Sequence, residues 1–114
     1  MQIGIDVGAT KIESVILDEK GNESNRERTD CPKDYFQIVK TIKDINKKLE
    51  KELNKVLPIG VCHPGIHSPQ TGLVKNAPNC YWLEKKPFQN DLRKELGKEV
   101  SVSYTHLRAH ETLR

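Results

Sequence analysis

Hydrophobic and polar positions follow two different periods along this chain, and the change from one to the other marks out its elements. Residues 2–8 and 12–18 are short apolar runs rich in β-branched side chains, and they predict two strands. Within the second run, Ile12, Val15 and Leu17 sit among further apolar residues, so that strand is expected to be covered on both faces. Gly21-Asn22 is a turn signal, and the runs around it suggest a hairpin or meander. Glu23 to Asp30 is strongly polar and predicts an exposed edge strand, blunted by its own charges. From Tyr35 onward the period lengthens. Tyr35, Ile38, Val39, Ile42, Ile45, Leu49 and Leu53 recur at spacings of three and four, with Lys and Glu between them. The spacing predicts an amphipathic helix with Asp34 as its N-cap, ending near Lys55 and ahead of Pro58.

The second half is more broken. Pro58 to Cys62 reads as a short buried strand closed by His63-Pro64-Gly65. Ser68 to Gly72 is a turn, and Leu73 to Lys75 a further strand. Pro87 at a first helical position, with Phe88, Leu92 and Leu96 behind it and Gly97 after, predicts a second helix. Val100 to Val102 begins a last strand. Strand, strand, strand, helix, strand, helix, strand predicts an α/β fold, a mixed sheet with covering helices.

A length of 114 residues allows one small domain with one modest core. Lys and Arg number 19 against 16 Asp and Glu, a formal charge of +3. The dense basic cluster, Lys40, Lys43, Lys47, Lys48, Lys51 and Lys55, is interrupted by Asp44, Glu50 and Glu52. That mixture reads as a solvated helix face and not as a nucleic-acid footprint. Apolar runs fall well short of the ~20 residues that span a bilayer, so no membrane partner is expected. The N-terminus lacks a leader pattern, because Asp6 interrupts its early apolar segment. Cys31, Cys62 and Cys80 are odd in number and form no C-x-x-C pair, which fits free thiols in a reducing, cytoplasmic compartment.

Candidate chemistry concentrates in D-V-G-A-T-K, Asp6 to Lys11. A strand that ends in a tight turn and re-enters as a second strand presents several backbone N–H groups at the bend, an anion nest. Gly8 permits positive φ or close approach, Thr10 adds a hydroxyl donor, and Lys11 adds positive charge. A carboxylate at Asp6 suits magnesium, which keeps much of its hydration shell. The same residues also fit a plain hairpin turn whose Asp and Thr cap backbone groups. Cys62, His63, His67 and Cys80 carry metal-ligand chemistry, but His63 and His67 straddle Pro-Gly, so their spacing does not bring them together as a helix would. Tyr81 and Trp82 read as packing residues.

IGIDVGATKIE resembles the first phosphate motif of the actin-like (ribonuclease H-like) ATPase fold. More narrowly, it resembles the I-G-I-D-x-G-G-T-K opening of the ROK family of bacterial sugar kinases and repressors. Residues 58–100 are similar to the ROK segment G-x-P-G-x-x-S-P-x-T-G-x-V-K-N-A-N, followed by W-L, P-F and a D-L helix. The Val-Lys-Asn-Ala and Tyr-Trp-Leu wording is closest to the fructokinase branch. The resemblance covers residues 1–100 and implies a truncated N-terminal lobe of that fold. It implies phosphorylation of a hexose from Mg-ATP, fructose at its 6-hydroxyl first, with glucose, mannose or N-acetylated hexoses as alternatives. Asp6 would position magnesium through water, Gly8, Ala9 and Thr10 would cradle the phosphates, and Lys11 would assist with charge. Gly65 and Asn76 would line the sugar pocket, and the full-length protein is expected to be a homodimer. Ala9 replaces the usual second Gly, which the turn accepts where φ is negative. Cys62 and His63 stand where the family more often has Gly and Ile. Pro78-Asn79 lengthens the K-N-A-N loop by a residue, which makes Asn79 a further pocket candidate.

In the family, a general-base Asp within N-D-A-N follows the last strand and falls near Thr105 here. Ser103, Tyr104, Thr105 and His106 supply no aligned carboxylate, so no catalytic residue is assigned. Val102 to Thr112 resembles a peptide translated from sequencing adapter, which implies a non-native tail over residues 101–114. A true C-terminal helix around Leu107 to Glu111 is the alternative. Two further functions fit the motifs. One is a ROK repressor, which carries a helix-turn-helix domain that Met1, abutting the first strand, leaves no room for. The other is a standalone phosphate-binding module.

Overall fold

Two antiparallel turns and two parallel crossovers build a five-stranded sheet whose strands lie in the order Glu23–Asp30, Lys11–Leu17, Gln2–Val7, Ile59–Cys62, Val100–Ser103. The computed structural model describes residues 1–64, 66–68, 70–75 and 81–103, with the side chains of 66, 67, 81 and 103 outside the description. The sheet strands are β1 (Gln2–Val7), β2 (Lys11–Leu17), β3 (Glu23–Asp30), β4 (Ile59–Cys62) and β7 (Val100–Ser103). β1 runs antiparallel to β2, and β2 antiparallel to β3. β4 lies parallel to both β1 and β7. A separate pair, β5 (Ile66–His67) and β6 (Val74–Lys75), stands beside the sheet. The predicted α/β mixed sheet with covering helices is the architecture found.

Helix α1 (Tyr35–Leu53) begins where predicted, because the Asp34 carboxylate accepts from the Gln37 amide at 3.0 Å. It stops at Leu53, earlier than the expected Lys55, since Asn54 turns left-handed at φ 54° and closes the helix. Helix α2 (Phe88–Leu96) ends at Gly97 with φ 69°. Pro87 is its N-cap and not the first helical residue it was predicted to be; the helix starts one place later, at Phe88. A 3-10 turn (Tyr81–Leu83) and strand β5 were not anticipated; both are too short to carry a period of their own.

Both helices pack on one face of the sheet. Ile3, Ile5, Val7, Ile12, Ile16, Ile59, Val61 and Val100 meet Ile38, Ile42, Leu49, Phe88 and Leu92 in one core. Leu83 joins that core, and Trp82 packs partly buried against it, the packing role its sequence position suggested. The opposite face carries Val15, Leu17 and Cys62 as a small buried cluster. β2 is therefore covered on both sides, as its continuous apolar run predicted. β3 is exposed along its whole length and presents charged side chains at the sheet edge. Turn chemistry joins β2 to β3: Asp18 accepts from the amides of Lys20 and Asn22, each at 2.9 Å, and Gly21 takes φ 83°.

A polar staple fixes the lower end of the fold. Lys98 Nζ donates to Asn46 Oδ1 at 2.7 Å, to Glu50 Oε2 at 2.8 Å and to the Leu57 carbonyl. Glu50 also accepts from the Leu57 amide at 2.9 Å. The end of α1 and the entries to β4 and β7 are thus held by one ammonium whose three protons are all used. Among the described residues, no helix is long and apolar enough to cross a membrane.

Candidate functional site

β1, β3 and β4 all run toward the same end of the sheet, and the hairpin from β1 to β2 closes that end. Alternation along β1 sends Ile3, Ile5 and Val7 into the helix-covered core, so Asp6 faces the other side. There it shares a face with Glu13 of β2, its antiparallel partner, and with Cys62 of β4, its parallel partner.

The hairpin tip is pinned twice. The Gly8 amide donates to the Lys11 carbonyl at 2.8 Å, and the Cys31 amide donates to the Thr10 carbonyl at 2.9 Å. A Cβ placed on Gly8 would lie 3.1 Å from the Lys11 carbonyl oxygen, so Gly8 serves close backbone approach. Its φ is not positive, and its amide is spent inside the turn, which leaves the donor role to the next two residues. Ala9 likewise stays out of the left-handed region, which explains why the usual Gly is dispensable there. Among the described residues, the amides of Ala9 and Thr10 and the Thr10 hydroxyl meet no acceptor. Two backbone donors and a hydroxyl at this bend are thus available to an anion.

Lys11 is ion-paired with Asp30 at the end of β3. That hydrogen bond, reinforced by the charge of the ammonium, holds the Asp30 carboxyl below its ordinary range. On the site's face, Glu13 takes Arg26 Nη1 at 2.8 Å and Arg28 Nε at 2.8 Å. The motif reading did not single out these arginines. The turn alone would set Glu27 opposite Glu13; a register shift between Ser14 and Ile16 moves the β2–β3 ladder by one residue and places Arg28 there, which no local sequence signal announced.

His63, weighed above as a metal ligand, is buried. Its ring stands edge-on to Phe88 with centroids 5.5 Å apart, and its Nδ1 lies 2.7 Å from the Pro64 carbonyl. Cys62 points to the opposite face of the sheet from that packing, so the two neighbours do not converge on one ion. Beside them, the Tyr35 hydroxyl donates to Asp91, joining the first turns of α1 and α2. Burial, then the Asp91 carboxylate, pushes the Tyr35 hydroxyl far above its usual range. The proposed pocket residues Gly65, Asn76 and Asn79, the cysteine Cys80, and Thr105 and His106 lie outside the described residues; so does the side chain of His67.

The donor set at the hairpin suits magnesium with phosphate. Among the described residues, no group of three or more His, Cys, Asp or Glu gathers into a cage. Magnesium needs none, since it is held by one or two carboxylates, waters and phosphate oxygens.

A sequence profile described as the ROK family matches residues 2–106. An N-acetyl-D-glucosamine kinase of Haemophilus influenzae (strain 86-028NP) is 35% identical over 101 residues, which cover 88% of this chain and 33% of that protein. Among solved structures, a ROK family glucokinase from Streptomyces griseus in complex with glucose and AMPPNP superposes with a TM-score of 0.76 at 24% identity, covering 90% of this chain and 32% of its own. An inorganic polyphosphate/ATP-glucomannokinase from Arthrobacter sp. strain KM gives a TM-score of 0.75 at 29% identity, covering 89% and 42% respectively. The chain thus spans about a third of the length of the curated relative it matches.

Proposed function

The chain belongs to the ROK family, and on that premise we propose that a protein built on this lobe transfers a phosphoryl group from ATP to a hexose. The observation that carries the reading is the hairpin tip. A carboxylate stands at the strand end on one side, and unspent Ala9 and Thr10 donors stand at the bend. In this reading the two amides and the Thr10 hydroxyl hold phosphate oxygens, and Lys11 lends charge from the flank. Asp6 orients the water shell of the metal. A magnesium ion held there would supply neutralisation of the phosphate charge. Positioning and charge neutralisation of this kind supply most of the rate in phosphoryl transfer, with little covalent chemistry asked of the protein.

Gly65 and Asn76 are assigned to the sugar pocket. Removal of the sugar hydroxyl proton is assigned to an aspartate following β7, in the region where this chain has Thr105 and the tail 101–114 read as non-native. Among hexoses, N-acetylglucosamine is the first substrate to test, because the relative matched above carries that name. Fructose is the second, on the wording of residues 74–77 and 81–83. The test is ADP release from Mg-ATP against a panel of N-acetylglucosamine, fructose, glucose and mannose. The assay uses the whole protein that contains this lobe. Sugar-dependent ADP from at least one of them supports the reading. Sugar binding with no ADP from any of them points to the repressor class instead.

A further inference from the structure

Glu13 stands directly across the β1–β2 ladder from Asp6, on the same face of the sheet. Side chains so placed have Cβ atoms about 5 Å apart, within joint reach of one ion. Two carboxylates at that distance form an obvious trap for a hard divalent cation. Glu13, however, is turned to other use. Its Oε2 accepts from Arg26 Nη1 at 2.8 Å, and its Oε1 accepts from Arg28 Nε at 2.8 Å and from Arg28 Nη2. Arg26 is held in turn by Glu23 at 2.6 Å. The Glu13 side chain is only 22% exposed, so the clamp is no freely tumbling surface pair. Arg28 is fixed by register as the ladder partner of Glu13 and brings two N–H groups to Oε1 while Arg26 takes Oε2, so both carboxylate oxygens carry charge-assisted hydrogen bonds.

We propose that Arg26 and Arg28 are positioning residues of the phosphate site, holding the Glu13 carboxylate away from the metal position beside Asp6. With Glu13 neutralised, the strand end offers the metal one carboxylate instead of two. The metal then arrives with the phosphates and does not lodge in the empty loop, where it would need to be displaced before a nucleotide could bind productively. The inference rests on the metal reading of Asp6 and adds the device that keeps that site shallow.

The experiment is a Mn²⁺ titration of the 114-residue chain, followed by paramagnetic broadening of the backbone amide resonances of residues 6–13, with far-UV circular dichroism to check folding. Arg26→Gln/Arg28→Gln is expected to lower the Mn²⁺ midpoint about tenfold, the scale of one added carboxylate some 5 Å away. Adding Glu13→Gln should restore the starting midpoint. Glu13→Gln alone leaves the arginine charges less compensated beside the loop and should not tighten binding. An unchanged midpoint in the double variant overturns the proposal, as does tightening that persists in full once Glu13→Gln is added. Asp6→Asn separates the two levels. If it abolishes broadening while the arginine variant does nothing, only this inference falls. If Asp6→Asn leaves the broadening intact, the metal reading falls and the inference with it.

Discussion

Replacing Lys98 by Met removes a charge and keeps the aliphatic stem, so the loss isolates the polar staple at the lower end of the sheet. The Lys98 side chain is 15% exposed and its Glu50 partner 22%. Without the ammonium, Asn46 Oδ1 and the Leu57 carbonyl lose their donor, and Glu50 keeps the Leu57 amide at 2.9 Å and Asn46 Nδ2 at 3.3 Å. Breaking a fully buried pair costs about 3–5 kcal/mol, while an exposed pair is worth under ~1 kcal/mol. Partial exposure and the surviving donors to Glu50 place this one between, at about 2–3 kcal/mol. For a domain of this size that is a fall in Tm of roughly 10 °C. Acid gives an internal control. Burial raises the Glu50 carboxyl, but the Lys98 hydrogen bond, the Leu57 amide and Asn46 outweigh it, and the net shift is downward. Its stabilisation is therefore present above the unfolded carboxyl value, ~4.3, and lost as pH falls through the lower folded value. Urea unfolding followed by circular dichroism should show the full penalty at neutral pH and a narrowed gap in strong acid. A neutral-pH penalty below ~0.5 kcal/mol would refute the staple, because that is the range of an exposed pair. A gap indifferent to acid would refute the role of Glu50 in it.

Asp34→Ala removes the one side-chain cap of α1, and should cost about 1 kcal/mol in the same urea assay. Gly8→Ala sets a Cβ 3.1 Å from the Lys11 carbonyl oxygen, a backbone atom with little room to give, and should destabilise by about 1 kcal/mol. An unchanged unfolding midpoint would deny the close approach there. Cys31 and Cys62 are buried, and burial pushes the Cys31 thiol above its ordinary value. In a Cys80→Ser background both should react with a thiol reagent only as fast as the chain unfolds, and prompt labelling at neutral pH would contradict their placement.

Local chemistry was legible where one element carried the whole signal. Tyr35 to Leu53 announced itself by spacing, Asp34 by type and position, and Gly21-Asn22 by the turn it permits. The alternation that buries Val7 and turns Asp6 to the other face could also be read directly. Asn46 was not legible, since its burial on α1 depends on a lysine 52 residues later in the chain. His63 carries ligand chemistry by type, and its packing role was hidden because its partner, Phe88, belongs to a helix later in the chain. At the candidate site, residue type pointed to the phosphate hairpin, but the division of labour within it did not follow from type. That Gly8 spends its amide on Lys11, leaving Ala9 and Thr10 as donors, is a property of the turn's hydrogen bonds. The Glu13 clamp needed two registers at once, one set by the motif's own hairpin and the other by the register shift between Ser14 and Ile16.

The most direct test of the phosphate–metal hairpin is Asp6→Asn in the whole protein, reading sugar-dependent ADP formation and sugar binding side by side. The account predicts turnover reduced by roughly a hundredfold or more, on the scale of losing one group that stabilises the transition state, with sugar affinity left within about twofold. Equal loss of turnover and sugar binding would make Asp6 a structural residue, and unchanged turnover would remove it from the reaction.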